Sequence, residues 1–369
     1  MGNLNVDAKI LKFDEKAAYQ LRSLYHRFGY CQYKMSKFEE YALYAKYNDY
    51  LGTDTILSFT DTNGRLLALK PDVTLSVITH SKDIPDQVQK VYYDENVYRV
   101  PKSRGAYKEI KQTGLECMGN IGIYEICEVI MLAVRSLEQI SGNYILEISH
   151  VGLIEALFRE FQIPAELEQK ILTCISRKNA HELKRFCIEE KICKEKQEKL
   201  FFFLKNFSSF NEAVIALESV CASQSARRNL EELSDILDFI NTYGWEDKVK
   251  LNFSLTNDMT YYSGVVFKGY VEGVPTGVLS GGQYDKLMRK MGKKSSAVGF
   301  AVYLGNLERL EEETQKYDVD IVILHNGSPK EALHAAETLS YDGTSVRVCR
   351  QIPTEIRYRQ LIKIAGKGD

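Results

Sequence analysis

Seven polar residues stand in short runs whose types and spacing could build a small-molecule site. They are Asp72 and Thr74 in LKPDVT, Arg99 in VYRV, Gln112 and Glu116 in KQTGLE, and the adjacent Tyr261 and Tyr262 in TNDMTYYSGVVFKGY. Carboxylates, an amide, hydroxyls and one guanidinium together offer the donors and acceptors that a zwitterion needs. Gln112 and Glu116 are four apart, so on a strand both leave the same face, about 13 Å apart if the strand is straight. Gly114 between them leaves floor space. Spacing alone favours a polar sheet face open to solvent. The tyrosine run carries Asp258 and no arginine or lysine before Lys268. A site handling a phosphate is expected to place a cation there.

The elements that must position these residues are legible from periodicity. Ala18, Leu21, Leu24, Tyr25 and Phe28 form a helical stripe that Asp14 can cap and Gly29 can end. A second helix is expected from Phe38 toward Tyr50. ILSFTD and GRLLALK read as strands of a hairpin turned at Asn63-Gly64. DVTLSVITH, just after Pro71, reads as a helix. KVYYDENVYRV and YKEIKQTGLECMG read as two strands joined by the polar turn PKSRGA. The helix YEICEVIMLAVRSLEQIS and the strand NYILEISH follow. Residues from about 151 to 242 have helical spacing, few glycines and many charges, which predicts a helical insertion. KVKLNFSLT alternates over its whole length and is expected to be a strand. GVVFKGYVEG and TGVLSGGQYD suggest an antiparallel pair, followed by the helix YDKLMRKM, the strand SAVGFAVYL and the helix GNLERLEEETQ. From about Tyr317 a strand, a helix, a strand and a final helix form a small module.

This order predicts an α+β fold, an antiparallel sheet flanked by helices. The expected division is a core over 1–316, with the insertion at about 151–242, and a small C-terminal α/β module over 317–369. Neither GxGxxG nor GxxxxGK[ST] occurs, so a dinucleotide fold and a P-loop are unsupported.

Bulk properties narrow the class further. The 369 residues include 44% hydrophobic and 27% charged side chains, which suits a packed soluble protein. Net charge is −2, from 48 basic and 50 acidic residues, so nothing general draws the chain to nucleic acid. The local run Lys286 to Lys294 reads as a solvated helix face. The 8 cysteines include no CxxC pair and the 6 histidines are scattered, so no metal site is expected. The cysteines read as unpaired thiols. There is no apolar leader core, no myristoylation pattern and no apolar run long enough for a membrane span. A cytoplasmic protein without a membrane anchor is expected.

LKPDVT, VYRVPKSRGAYKEIKQTGLECMG, TYYSGVVFKGY and SGGQYDKLM…SAVGFAVYLGNLERL occur in an order that resembles the catalytic core of class II histidyl-tRNA synthetases, over roughly residues 5 to 312. The resemblance implies an antiparallel sheet with a histidine pocket on it. It implies that Asp72 and Thr74 hold the amino group with help from Gln112. Glu116, as an ionised carboxylate, and Tyr262 would face the imidazole, with Arg99 near the carboxylate and Tyr261 also among the histidine-binding residues. Asp72 is a shorter acid than the glutamate usual there.

The ATP side departs from that pattern. Arginines of the family fall on Asn257, Ala106, Gln283 and Asn306, although a short insertion could bring Arg309 into register with the last. The acid after the motif 2 arginine falls on Pro101. Losing several transition-state cations is expected to abolish adenylation. A body that keeps the amino-acid pocket and loses ATP chemistry resembles the ATP phosphoribosyltransferase regulatory subunits, a family without catalytic residues or cofactor of its own. That likeness implies a dimer that joins a short-form catalytic subunit in a hetero-octamer, histidine as feedback ligand, and no tRNA. The other readings are an active histidyl-tRNA synthetase and a free-standing histidine-binding protein.

Overall fold

The structure, a computed structural model, describes residues 11–51, 56–84, 87–100, 106–205, 207, 209–255, 261–307, 310, 316–326 and 328–364. In chain order the strands are β1 (Cys31–Gln32), β2 (Phe38–Glu40), β3 (Ser58–Thr60), β4 (Leu66–Leu69), β5 (Val88–Arg99), β6 (Lys108–Gly119), β7 (Tyr144–His150), β8 (Val249–Leu251), β9 (Val265–Val271), β10 (Leu279–Gln283), β11 (Ser296–Tyr303), β12 (Val319–His325), β13 (Val346–Cys349) and β14 (Tyr358–Ile364). The helices are α1 (Phe13–Arg27), α2 (Tyr41–Lys46), α3 (Thr74–His80), α4 (Ile123–Ile140), α5 (Val151–Glu160), α6 (Ala165–Ser176), α7 (Ala180–Glu189), α8 (Lys194–Phe201), α9 (Phe210–Glu218), α10 (Gln224–Thr242), α11 (Asp285–Lys290) and α12 (Pro329–Ser340). The described chain forms two compact units, one from 17 to 307, the other combining the segment up to 16 with 308 onward.

The larger unit is built on an eight-stranded sheet in the order β1-β5-β6-β11-β10-β9-β7-β8. Pairs from β5 through β7 are antiparallel, and the short edge strands β1 and β8 join in parallel. One face is closed by α4, whose apolar stripe of Ile126, Val129, Ile130, Ala133, Val134 and Leu137 is buried. Gly269 of β9 has no side chain because the Leu137 methyls already stand where its Cβ would go. Helices α5 to α10 fill the connection from β7 to β8, as the helical spacing of 151–242 predicts. Their turns use Gln162, Lys178 and Lys191 at positive φ, where glycine is the usual helix terminator. A small sheet, β2-β4-β3, sits on its own, with the Asn63-Gly64 turn in the β3–β4 hairpin.

Four expectations are corrected. The helix expected from Phe38 begins only at Tyr41, because Phe38–Glu40 pairs antiparallel with β4. In α1, Asp14 lies inside the first turn instead of capping it, and Phe28 is exposed. KVKLNFSLT is a strand only at Val249–Leu251. There the Asn252 Oδ1 accepts from the Ser254 amide and hydroxyl at 3.1 and 2.7 Å, an Asx turn that ends the ladder. In the smaller unit the expected last helix is strand β14, paired in parallel with β12 from Val319↔Tyr358 to His325↔Ile364. That pairing gives the order β13-β12-β14, and tertiary pairing overrides local propensity. Most of GNLERLEEETQ lies outside the described residues.

Among the described residues no helix is long and apolar enough to cross a membrane, and no cluster of His, Cys, Asp or Glu is placed to hold a metal ion. All eight cysteines are free thiols.

Candidate functional site

The face of the sheet opposite α4 carries a cavity of about 470 Å³. Its floor follows from strand register. On β6, Gln112, Gly114 and Glu116 alternate onto one face, opposite Tyr303, Ala301 and Gly299 of β11. Floor space exists because two positions are glycine. A Cβ on Gly299 would overlap the Glu116 carboxyl, and one on Gly114 would overlap the Tyr93 ring and the Phe300 carbonyl. All seven residues singled out by sequence, Asp72, Thr74, Arg99, Gln112, Glu116, Tyr261 and Tyr262, line this one cavity.

Their contacts are specific. Thr74 opens α3, and its hydroxyl donates to Glu116 Oε1 at 2.7 Å. Asp72 Oδ1 accepts the Leu75 amide at 2.9 Å, which anchors the start of α3. Arg99 ends β5; its Nη2 pairs with Asp72 Oδ2 at 3.1 Å and its Nε donates to the Pro71 carbonyl at 2.5 Å. The guanidinium is therefore held by protein groups on two of its sides. Gln112 is buried on the floor. Tyr261 and Tyr262 meet edge to face at 4.9 Å, and Tyr261 also packs 6.0 Å from Tyr284 and 6.4 Å from Tyr50.

Glu116 needs a correction. It was expected to be an ionised carboxylate. In the structure burial pushes its carboxyl up to about 8, against the lowering by hydrogen bonds from Tyr284 and Thr74, and repulsion from Asp72 adds to the rise. Glu116 therefore holds a proton at neutral pH, and a cation brought beside it would favour the charged form. Burial likewise raises Tyr261 and Tyr284 well above the usual phenol range, so both are neutral donors.

Sequence reasoning missed four tyrosines here, Tyr50, Tyr93, Tyr284 and Tyr303, the last opposite Gln112. Tyr284 donates to Glu116 Oε2 at 2.6 Å. Tyr93 stands on β5 directly across from Gly114, and Tyr50 stacks toward Tyr261. Tyr284 directly follows Gln283 in GGQYD.

The positions where an ATP-binding cation was expected are occupied otherwise. Gln283 is buried, and its side-chain oxygen accepts the Val265 amide at 2.7 Å, in space that a Cβ on Gly264 would fill. Asn306 donates to the Gly277 carbonyl at 3.1 Å. Ala106 is exposed. Asn257, Pro101 and Arg309 lie outside the described residues. Among the described lining residues, the cation of the cavity is Arg99.

The family model for histidyl-tRNA synthetase matches residues 6–307. The chain belongs to the histidyl-tRNA synthetase family. Within it, the chain is 28% identical to the ATP phosphoribosyltransferase regulatory subunit of Bacillus mycoides, over 84% of this chain and 76% of that one. It is 25% identical to the protein of the same name in Clostridium acetobutylicum, over 89% and 83%. Among solved structures it resembles an ATP phosphoribosyltransferase regulatory subunit/histidyl-tRNA synthetase from Bacillus halodurans, with a TM-score of 0.76 and 21% identity over 96% and 95%. A chain of the ATP phosphoribosyl transferase (HisG:HisZ) complex from Thermotoga maritima superposes with a TM-score of 0.61 and 23% identity over 78% and 96%. Histidyl-tRNA synthetase from Nostoc gives 0.71 at 16% identity over 93% and 83%. These structural likenesses establish the class II synthetase-like fold.

Proposed function

We propose that this histidyl-tRNA synthetase relative is a regulatory subunit of ATP phosphoribosyltransferase, the first step of histidine biosynthesis. It carries no adenylation or tRNA-charging activity and acts on a short catalytic subunit. The observation that carries this reading is the charge layout of the cavity. Among the described lining residues, acceptors and neutral donors suited to a small zwitterion surround one arginine, which already holds Asp72 and Pro71. Gln283 and Asn306, which replace expected arginines, are committed to backbone groups. The names of the relatives support the same reading, and the Thermotoga complex supports a catalytic partner.

In this reading histidine is the feedback ligand. Asp72, Thr74 and Gln112 receive its amino group, Arg99 lies near its carboxylate, and Glu116, Tyr261, Tyr262 and Tyr284 surround its imidazole. A dimer of this chain joins the catalytic subunit in a hetero-octamer, with no tRNA bound. Regulation needs only that histidine bind the active and inactive assemblies differently, with a coupling of about 1–3 kcal/mol.

Two assays test this. Histidine-dependent pyrophosphate exchange by the chain alone is expected to be absent, and robust exchange would make the chain an active synthetase. The activity of a short catalytic subunit is expected to rise when this chain is added and to fall on titration with histidine. Activity indifferent to the chain would leave a free-standing histidine-binding protein.

A further inference from the structure

A second cavity of about 460 Å³ opens where α5, the start of α10 and α11 meet. Four cations line it: Arg159 from α5, Arg228 from α10, and Lys286 and Arg289 from α11. Among the described lining residues one acid, Glu155, is present and pairs with Lys286. Arg159, Arg228 and Arg289 form no ion pair with any described residue. Arg289 is near enough to Asp285 to oppose the rise that burial imposes on that carboxyl. The sequence suggests a solvated face for Lys286 to Lys294, and Arg289, Lys290 and Lys294 are exposed; Lys286 and Arg289 also line this cleft with two arginines from the helical insertion.

The cleft is built as a concavity and not as a scatter of charge. Gly152 leaves it open, since a Cβ there would stand 2.8 Å from the Ser263 carbonyl. Asn229 is fixed by its bond to the Gly152 carbonyl at 3.0 Å. Gln224 and Ser225, the first two residues of the 19-residue helix α10, line the wall. The Ala226 amide is capped by Ser223 Oγ and the Arg227 amide bonds the Ser223 carbonyl. Glu160 accepts the amides of Ala222 and Ser223. Gln224 and Ser225 are thus the first-turn amides that lie beyond these caps, at the positive end of the helix dipole. Beside the cleft, Arg227 and Glu231 line an adjoining groove with Arg228.

The geometry points to a binding site for a small molecule that carries a di- or triphosphate. Guanidinium forks match phosphate oxygens two at a time, and three of them converge with a helix start on a space of ligand size. A carboxylate ligand would use one fork and leave the other cations facing each other. The inference is independent of the histidine-sensing reading, since none of these residues lines the first cavity.

The test uses the full chain and inorganic tripolyphosphate, followed by titration calorimetry at low salt. Saturable binding of one tripolyphosphate per chain is expected, at least about tenfold tighter than inorganic phosphate. Arg159→Ala and Arg228→Ala, both exposed and tolerable to the fold, are each expected to weaken it about tenfold or more. Lys290→Ala, an exposed cation on the same helix outside the cleft, is expected to leave it within about twofold. Displacement by ADP and by a sugar pyrophosphate then identifies the source, the tighter of the two naming it. The inference is overturned if binding does not saturate, if the arginine variants match wild type, or if Lys290→Ala costs as much as they do. It is overturned too if neither ester displaces the probe, or if a polyglutamate peptide binds through Arg228 where tripolyphosphate does not, which would make the cleft a protein-docking surface.

Discussion

The tyrosine-walled cavity and the basic cleft share one connection and treat charge in opposite ways. Tyr261 and Tyr262 line the first while Ser263 lines the second, and at the β10–α11 junction Tyr284 faces the first while Lys286 faces the second. Ser263 stitches the two sides together, its amide donating to the Gln283 carbonyl and its hydroxyl accepting the Asp285 amide at 3.0 Å. In the cavity the arginine is neutralised by Asp72 and the buried acid keeps its proton. In the cleft three guanidiniums form no ion pair with a described residue, although Arg289 stands near Asp285. A ligand of a cavity so arranged would be selected by directional hydrogen bonds, because a wrong ligand leaves buried polar groups unpaired. A ligand of the cleft would be selected by charge.

The strongest way to break this contrast is to return a cation to the junction. Gln283→Arg restores the residue that the synthetase-like pattern expects. It also removes the acceptor of the Val265 amide and forces a longer side chain into space bounded by Gly264. Stability is expected to fall by about 3 kcal/mol, read by chemical denaturation. Histidine-dependent pyrophosphate exchange is expected to stay absent. A variant as stable as wild type, or one that gains exchange, would show that the position is an open cation slot and that the cavity lacks ATP chemistry for want of one residue.

Next in size is Glu116→Gln. Thr74 and Tyr284 can still bond the amide, so the pocket keeps its shape. Loss of the charge-assisted contact to the imidazole is expected to weaken histidine inhibition roughly 10- to 100-fold. Activation of the catalytic subunit and binding of tripolyphosphate are expected to stay unchanged. Equal inhibition by histidine would remove Glu116 from the imidazole contacts. A matching loss of tripolyphosphate binding would show that the two sites are one.

The contrast also explains what was legible in the sequence. The cavity residues lie on long regular strands and at one helix start, where even spacing and register carry Gln112 and Glu116 to one face. The resemblance to the synthetases then gathered Asp72, Arg99 and the tyrosine pair around them. The protonation of Glu116 was not legible, because it depends on burial beneath segments far apart in sequence and on repulsion from Asp72, opposed by hydrogen bonds from Tyr284 and Thr74. The cleft was not legible either. Arg159, Arg228 and Arg289 are 69 and 61 residues apart in sequence, and each alone looks like an ordinary helix-surface charge. Local signals also failed where pairing decided the outcome, as at Phe38–Glu40 and at β14. Helix ends in the insertion were hidden because Gln162, Lys178 and Lys191 take the left-handed turn without a glycine.

The smallest expected effect is a proton count, and it examines the cavity alone. In the free protein burial pushes the Glu116 carboxyl up to about 8, and a free imidazole titrates at about 6.5. Once histidine is bound, the carboxyl–imidazole pair holds one proton, whichever partner carries it. At about pH 5 the separate groups hold two protons, so binding releases one. Near pH 7 they hold about one between them, and binding is proton-neutral. At about pH 9 they hold almost none, so binding takes one up. The sign of the exchange thus reverses near neutrality, which calorimetry in buffers of different ionisation enthalpy can read. In Glu116→Gln the alkaline uptake is expected to fall by about one proton, leaving only what the ligand's own amino group takes up on binding. Wild-type uptake at high pH that equals that of Glu116→Gln would place the imidazole away from Glu116 and leave that carboxyl a structural partner of Thr74 and Tyr284.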